Sequence, residues 1–392
     1  MIRFTKRISL LAAAACAAAG FLACGGGNYV PPPRVSLVTF DNASTVIGQP
    51  DFTSNAENRG GAADNSTVAT PWGNPAVVDG RLFIADFGNN RVLAFDSIPT
   101  ADNASASMVL GQPDFATTTS GTTRSTFGRP EFVAGWGGKL AVADADNGRV
   151  LVWNRVPTVS GTLPDVVVGQ ADFTSGGGEC DARTLLVTEG MAIGGGRLIV
   201  SDTPHNRVLV WNAIPTVNGT PADLVLGQDN MTTCEPNSGG RSARSLNAPQ
   251  GVWSDGTRLV VADAMNNRVL IWNTFPTANG QAADNVLGQP DMASAGSATT
   301  ASGLYLPVTV ASNGSQLFVA DEFNNRVMVW ESWPEVDFQA ADKVLGQPDF
   351  TSNAANNGGI SARTMNLPGS LLVHGDTLIV GEWGNNRYTI FR

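Results

Sequence analysis

Six carboxylates recur at matching places along the chain: Asp86, Asp144, Asp202, Asp263, Asp321 and Glu382. Each is followed five residues on by an arginine, the series Arg91, Arg149, Arg207, Arg268, Arg326 and Arg387. A ring of carboxylates could hold a cation. A carboxylate at a strand end could equally accept backbone N–H bonds from the next turn and pair with its arginine, which is a structural use. Repetition in every unit favours the structural use, because a site needs asymmetry. Residues that break the repeat are few. His205 and His374 are the only histidines of the chain. They fall in turns expected on opposite faces, so no histidine-based metal site is expected. Glu131, Glu189 and Asp255 stand near the starts or ends of innermost strands and are the candidates for a carboxylate-bound calcium ion. No Gly-x-Ser-x-Gly nucleophile motif and no phosphate loop is present in the sequence. No metal and no cofactor is therefore expected.

The repeat that carries these residues reads hydrophobic-x-Ala-Asp-x-x-Asn-Asn-Arg-Val-Leu-x-Trp. Its arginines are spaced by 58, 58, 61, 58 and 61 residues. Such a period means a repeat architecture. Each unit holds four short runs rich in Val, Ile, Leu and Trp, separated by Gly, Pro, Asn and Asp, the signature of four strands. In the fourth unit these are strand A after Pro249-Gln250-Gly251, strand B at 258–262, strand C at 268–272 and strand D at 285–288. Four strands per radial repeat predict an all-β, six-bladed β-propeller over residues 41–392. The chain starts with a lone D-type strand from Thr45 and ends after a C-type strand. The first D strand is expected to complete the last blade and close the ring. The aromatic series Phe95, Trp153, Trp211, Trp272, Trp330 and Phe391 is expected to pack between blades. The recurring Gly-Gln-Pro-Asp-Phe is expected to end strand D and anchor the next loop.

The units resemble the NHL repeat. The match lies in Pro-x-Gly before strand A, Val-Ala-Asp ending strand B and Asn-x-Arg-Val opening strand C, over about residues 45–392. The units exceed that family's usual length in the C–D and D–A loops. The third D strand departs as Gly227-Gln228-Asp229-Asn230-Met231, and the last blade has Glu382 for Asp. The resemblance implies an interaction platform. Amidating lyases and quinone sugar dehydrogenases resemble this fold but lean on histidines that this chain lacks. A lactonase-like hydrolase with calcium in the central channel is the alternative, and a purely structural envelope component is a third reading.

The first 23 residues read as a signal peptide: Arg3, Lys6 and Arg7 precede an apolar run from Leu10 to Leu22. Phe21-Leu22-Ala23-Cys24 resembles a bacterial lipoprotein signal, with Cys24 the lipidated first residue. Ordinary cleavage after Ala23 is the alternative. Residues 24–40, rich in Gly and Pro, read as a tether. Gly25, in place of Asp, points to the outer membrane. The protein is thus expected in the cell envelope, extracytoplasmic and bound to the membrane through its anchor only. Loss of the three basic signal residues takes the net charge from −10 to −13. An acidic surface argues against nucleic acid as a partner. Cys180 and Cys234 stand in equivalent loops of neighbouring units, where an oxidising compartment favours a disulfide; two free thiols are the alternative. Four arginines at similar places in the long D–A loops, Arg124, Arg183, Arg244 and Arg363, are candidates for contacting an acidic partner, or each tacks down its own loop. The function expected is a non-catalytic scaffold binding a protein, peptide or glycan through its loop face.

Overall fold

The computed structural model describes residues 33–392. The segment expected as a signal peptide, Cys24 and most of the expected tether up to residue 32 lie outside the described residues. Six four-stranded antiparallel sheets form a six-bladed propeller. The A strands, innermost, are Ala76–Val78, Pro130–Trp136, Thr188–Gly194, Pro249–Ser254, Pro307–Ser312 and Pro368–His374. The C strands are Arg91–Phe95, Arg149–Trp153, Arg207–Trp211, Arg268–Trp272, Arg326–Trp330 and Arg387–Phe391, and every residue in them is buried. Thr45–Ile47 pairs antiparallel with Arg387–Phe391, so the first D strand completes the last blade. Strand limits expected for the fourth unit shift by one residue for B, which runs Leu259–Asp263. Strand A there begins at Pro249, because Pro249 pairs with Asp263 ahead of a bulge.

Packing between blades is apolar and continuous. Each C-strand aromatic joins the cluster shared with the preceding blade: Trp211 packs with Val166 and Val168, and Trp330 with Val260 and Ile271. Burial is affordable for the indole N–H because it donates to a C–D loop carbonyl nine residues on, as from Trp272 to Gln281 at 3.0 Å.

The repeated carboxylates are structural staples. In the fourth blade, Asp263 Oδ1 accepts the Asn247 backbone N–H at 2.7 Å, and Oδ2 accepts Asn266 Nδ2 at 2.8 Å and Arg268 Nε at 2.7 Å. Arg268 then donates to the carbonyls of Ser242 and Ser245 in the loop entering its blade, and to Met292 in the loop leaving it. One buried ion pair thereby ties two consecutive D–A loops. Burial pushes Asp144 up to about 6, opposed by Arg149, Asn147 and the Gly128 N–H, so it remains ionised at neutral pH. Glu382 serves the last blade in the same way, with Arg387 Nε at 2.9 Å from Oε1.

A second stitch joins neighbouring blades. Asn90, Asn206, Asn267, Asn325 and Asn386 sit at positive φ after the B–C turn. Asn267 Nδ2 donates to Ala295 O and its Oδ1 accepts the Leu306 N–H, both at 2.9 Å and both in the loop to the next blade. The second blade has Gly148 here, and a Cβ would lie 2.4 Å from Leu185 O. The loop at that unstitched junction carries Cys180, which forms a disulfide with Cys234 of the following loop, Cα–Cα 6.2 Å.

Residues 34–37, expected within the tether, pack on the propeller. Val35 and Leu37 are buried in the cluster between the fifth and sixth blades. Val35 exchanges backbone bonds with the Gln316 side chain at 2.9 and 3.0 Å, and Arg34 pairs with Glu331 at 3.0 Å. The alternation of Val35 and Leu37 supplies the apolar contact that offsets ordering this stretch.

Candidate binding site at the channel mouth

The A strands line a central channel with two unlike ends. At the end bearing the A–B turns, a cavity of about 260 Å³ is walled by backbone and by apolar side chains such as Val133, Met191, Val252 and Leu371. His374 lies at that end. The other end, framed by D–A loops and B–C turns, holds a pocket of about 230 Å³ lined by Trp72, Phe87, Arg129, Glu131, Glu189 and Trp383. A larger cleft, about 330 Å³, lies along the C–D loop of the first blade, and its only carboxylate is the exposed Asp96.

One position of the repeat builds the mouth. The residue equivalent to the middle of Pro249-Gln250-Gly251 is Trp72, Glu131, Glu189, Gln250, Val308 and Gly369 in successive blades; proline precedes it in all but the third blade, which has Thr188, and glycine follows it only in the first, third and fourth. In blades two to six this residue falls in a β-bulge, where the register with strand B slips. A bulge turns a side chain out of the pleat and toward a site. This position varies from blade to blade, and Trp72, Glu131 and Glu189 bring it into the pocket.

Glu131 is 4% exposed, and its Oε2 has no hydrogen-bond partner. Burial raises its carboxyl well above the ordinary range, Glu189 and Asp146 add to this, and Arg129 opposes it. Burial also raises Glu189, which accepts Gln250 Nε2 at 2.9 Å. Glu322, first residue of the fifth B–C turn and 2% exposed, is pushed up to about 8 by burial and by Glu189. Its Oε2 is also unpartnered. Arg129 is held at the rim, its Nε 2.5 Å from Asp146 Oδ2 and its guanidinium 5.4 Å from the Phe87 centroid. Trp72 and Trp383 meet edge to face at 5.8 Å. Beyond them Met265, Tyr305 and Phe323 are exposed on the same face, in or beside the turns of blades four and five. The mouth therefore has an acidic side at blades two and three and an apolar crescent over blades four to six.

Of the three candidate calcium carboxylates, Glu131 and Glu189 come together here. Asp255 does not: it lies in an A–B turn on the opposite face, 2.7 Å from Arg258. Among the described residues, no three His, Cys, Asp or Glu side chains are grouped as metal ligands. His205 bonds Asp202 Oδ2 at 2.9 Å, taking the place that asparagine holds in other blades. The four loop arginines sit at the outer rim, away from the channel. Arg124 donates to Pro164 O and stacks on Phe173, Arg183 donates to Gly219 O, and Arg363 donates to Asn42 Oδ1. Each of these contacts lies beside the outer D strand of its own blade. Arg244 lines a shallow cleft with Gln228 and Asp229. Trp72, Phe87, Arg129, Glu322 and Trp383 are not singled out by the repeat. The signal available for Trp72 is a changing residue that follows proline in all but the third blade.

No protein-family model matches the sequence, and no curated protein matches it. Solved structures are similar in fold. A structural-genomics protein of unknown function from Bacteroides thetaiotaomicron is 12% identical with a TM-score of 0.47, over 89% of this chain and 75% of that one. The WD40 β-propeller domain of Doa1 is 10% identical with a TM-score of 0.46, over 93% and 98%. A streptogramin B lyase is 13% identical with a TM-score of 0.44, over 87% and 86%. These likenesses concern the β-propeller fold alone.

Proposed function

We propose that the protein is a non-catalytic, lipid-anchored extracytoplasmic scaffold of NHL type that binds a protein or peptide at its channel mouth. The observation that carries this reading is the exposed apolar crescent of Met265, Tyr305, Phe323 and Trp383 beside the acidic pocket. Contiguous apolar side chains rimmed by charge mark interaction surfaces, and propeller function resides in loops carried on a rigid scaffold. The chain's entry supports the anchored arrangement. Asn313, in an A–B turn, donates to Pro33 O at 3.1 Å, so the chain enters on the face opposite the mouth.

The test is crosslinking capture from native envelopes, using the exported protein and a Trp72→Ala/Trp383→Ala version as baits. A third bait carries Ala at Arg124, Arg183, Arg244 and Arg363. The expected partner is retained by the unaltered and arginine-altered baits and lost by the tryptophan-altered one. Equal capture by all three baits, or by none, overturns the mouth as the binding surface. The calcium-dependent hydrolase reading draws on the convergence of Glu131 and Glu189, and a melting temperature raised by millimolar calcium would favour it.

A further inference from the structure

Glu131 is the outstanding feature of the mouth. Its carboxyl is buried, lines the pocket and leaves one oxygen without a donor. A buried acceptor without a partner is costly, and a ligand donor removes that cost. Glu189 stands in the same pocket, while Asp146 already occupies the one cation there, Arg129. The unmet demand is for a donor, and the neighbouring carboxyl of Glu189 favours a positively charged one. The walls specify its kind. Trp72, Trp383 and Phe87 offer aromatic surface, which attracts an organic cation and packs its apolar stem. A hard metal ion would want six or more oxygens, and an anion is excluded by the sign of the charge.

We propose that the channel mouth is a receptor for an ammonium group on an apolar stem, as presented by a lysyl side chain of a peptide partner. This rests on the mouth being the binding surface. The ammonium takes the place of a donor at Glu131 Oε2, with Glu189 beside it, and the stem lies against the Trp72–Trp383 pair. Burial and Glu189 raise the Glu131 carboxyl in the empty pocket, and an ammonium beside it favours the ionised form. Glu131, Glu189, Glu322, Asp146 and Arg129 are the charged groups around this event, and the affinity falls as pH is lowered.

Calorimetric titration of the full chain at pH 7.5 with Nα-acetyl-lysine methylamide tests this, against the same compound acetylated at Nε. The expected result is saturable binding at least tenfold tighter for the free amine. Repeating it at lower pH should show weaker binding, because a protonated carboxyl no longer pairs with the ammonium. Glu131→Gln, which keeps the shape of the side chain, should weaken binding about tenfold or more and flatten that pH dependence. Glu189→Gln should weaken binding too, so the test survives if Glu131→Gln fails to fold. Equal affinity for the two compounds, absence of amine binding by the folded wild-type chain, or unchanged binding in a folded Glu131→Gln overturns the ammonium assignment. Envelope capture separates the two levels. A partner lost with Trp72→Ala/Trp383→Ala but kept by Glu131→Gln refutes the ammonium alone. A partner indifferent to all these changes refutes the mouth as well.

Discussion

Glu322→Gln is expected to stabilise the propeller, and to do so more as pH rises. Glu322 sits at the start of a B–C turn, nearly inaccessible, with one carboxyl oxygen unpartnered and Glu189 within Coulomb range. Its carboxyl is raised from 4.5 to about 8. The fold therefore holds a proton that the unfolded chain releases. The sign follows: this group costs nothing below pH 4.5, and stability is lost as pH rises toward about 8. The full displacement corresponds to about 5 kcal/mol, of which about 4 kcal/mol falls between pH 5 and pH 9. Glutamine has the same shape and no charge to bury, so a variant should escape most of this loss. Urea unfolding of dialysed wild-type and Glu322→Gln proteins at pH 5, 7 and 9 measures it. The difference in stability should widen in favour of the variant by roughly 2 to 4 kcal/mol across that range, allowing for relaxation of the turn. Parallel pH profiles for the two proteins would refute the buried, protonated carboxyl. A variant less stable at every pH would show that the carboxylate has a partner it needs.

Asp263→Asn should cost about 3 to 5 kcal/mol, because Arg268 would remain buried without its counter-charge; a loss under 1 kcal/mol in thermal or urea unfolding contradicts the staple. Deleting residues 41–53 removes Val46 and Ile47 from full burial and opens the last blade, at a cost of at least about 3 to 6 kcal/mol. An unchanged melting temperature would sink ring closure by the first strand. Cys180→Ser should lower stability by about 4 kcal/mol on loop entropy for a bridge spanning 54 residues. Titration of two free thiols in the exported protein would remove the disulfide from the account.

The fold was legible because every level of the sequence repeats it. Asp263, Asn266 and Arg268 recur with their neighbours in near-identical form in other blades, and a pattern written six times fixes strand order, turn type and period together. Even the closing strand could be read, since the chain opens on a D motif and ends on a C motif. The site was less legible for the same reason. A repeat draws the eye to constant residues, and in this propeller the constant residues are buried staples. Glu131 and Glu189 could be named as unusual, but their meeting depends on bulges that slip the register at the start of strand A, and no motif announces a bulge. Asp255 looked equivalent to them by residue type and proved to lie in a turn at the other end. The loop arginines looked alike because their blades are alike, and three of them serve those blades at the rim.

A division of labour follows from where the variation sits. The acid–Arg staple fixes each D–A loop from beneath, and the Asn stitch fixes all but the one after the second blade, through backbone carbonyls and N–H groups rather than side chains. The loop is thereby held whatever it carries. The residue after the first position of strand A is then free to change without loosening the blade, from Glu131 to Gln250 to Gly369. Unmet polarity recurs along that ring of positions: the unpartnered oxygens of Glu131 and Gln250 lie in it, and those of Thr188, Thr309 and Ser370 lie one residue along, while Gln49, Gln112 and Gln228 leave theirs unpartnered where strand D ends. Of these, Glu131 lines the pocket at the channel mouth, and the proposed binding there draws on that unpartnered oxygen.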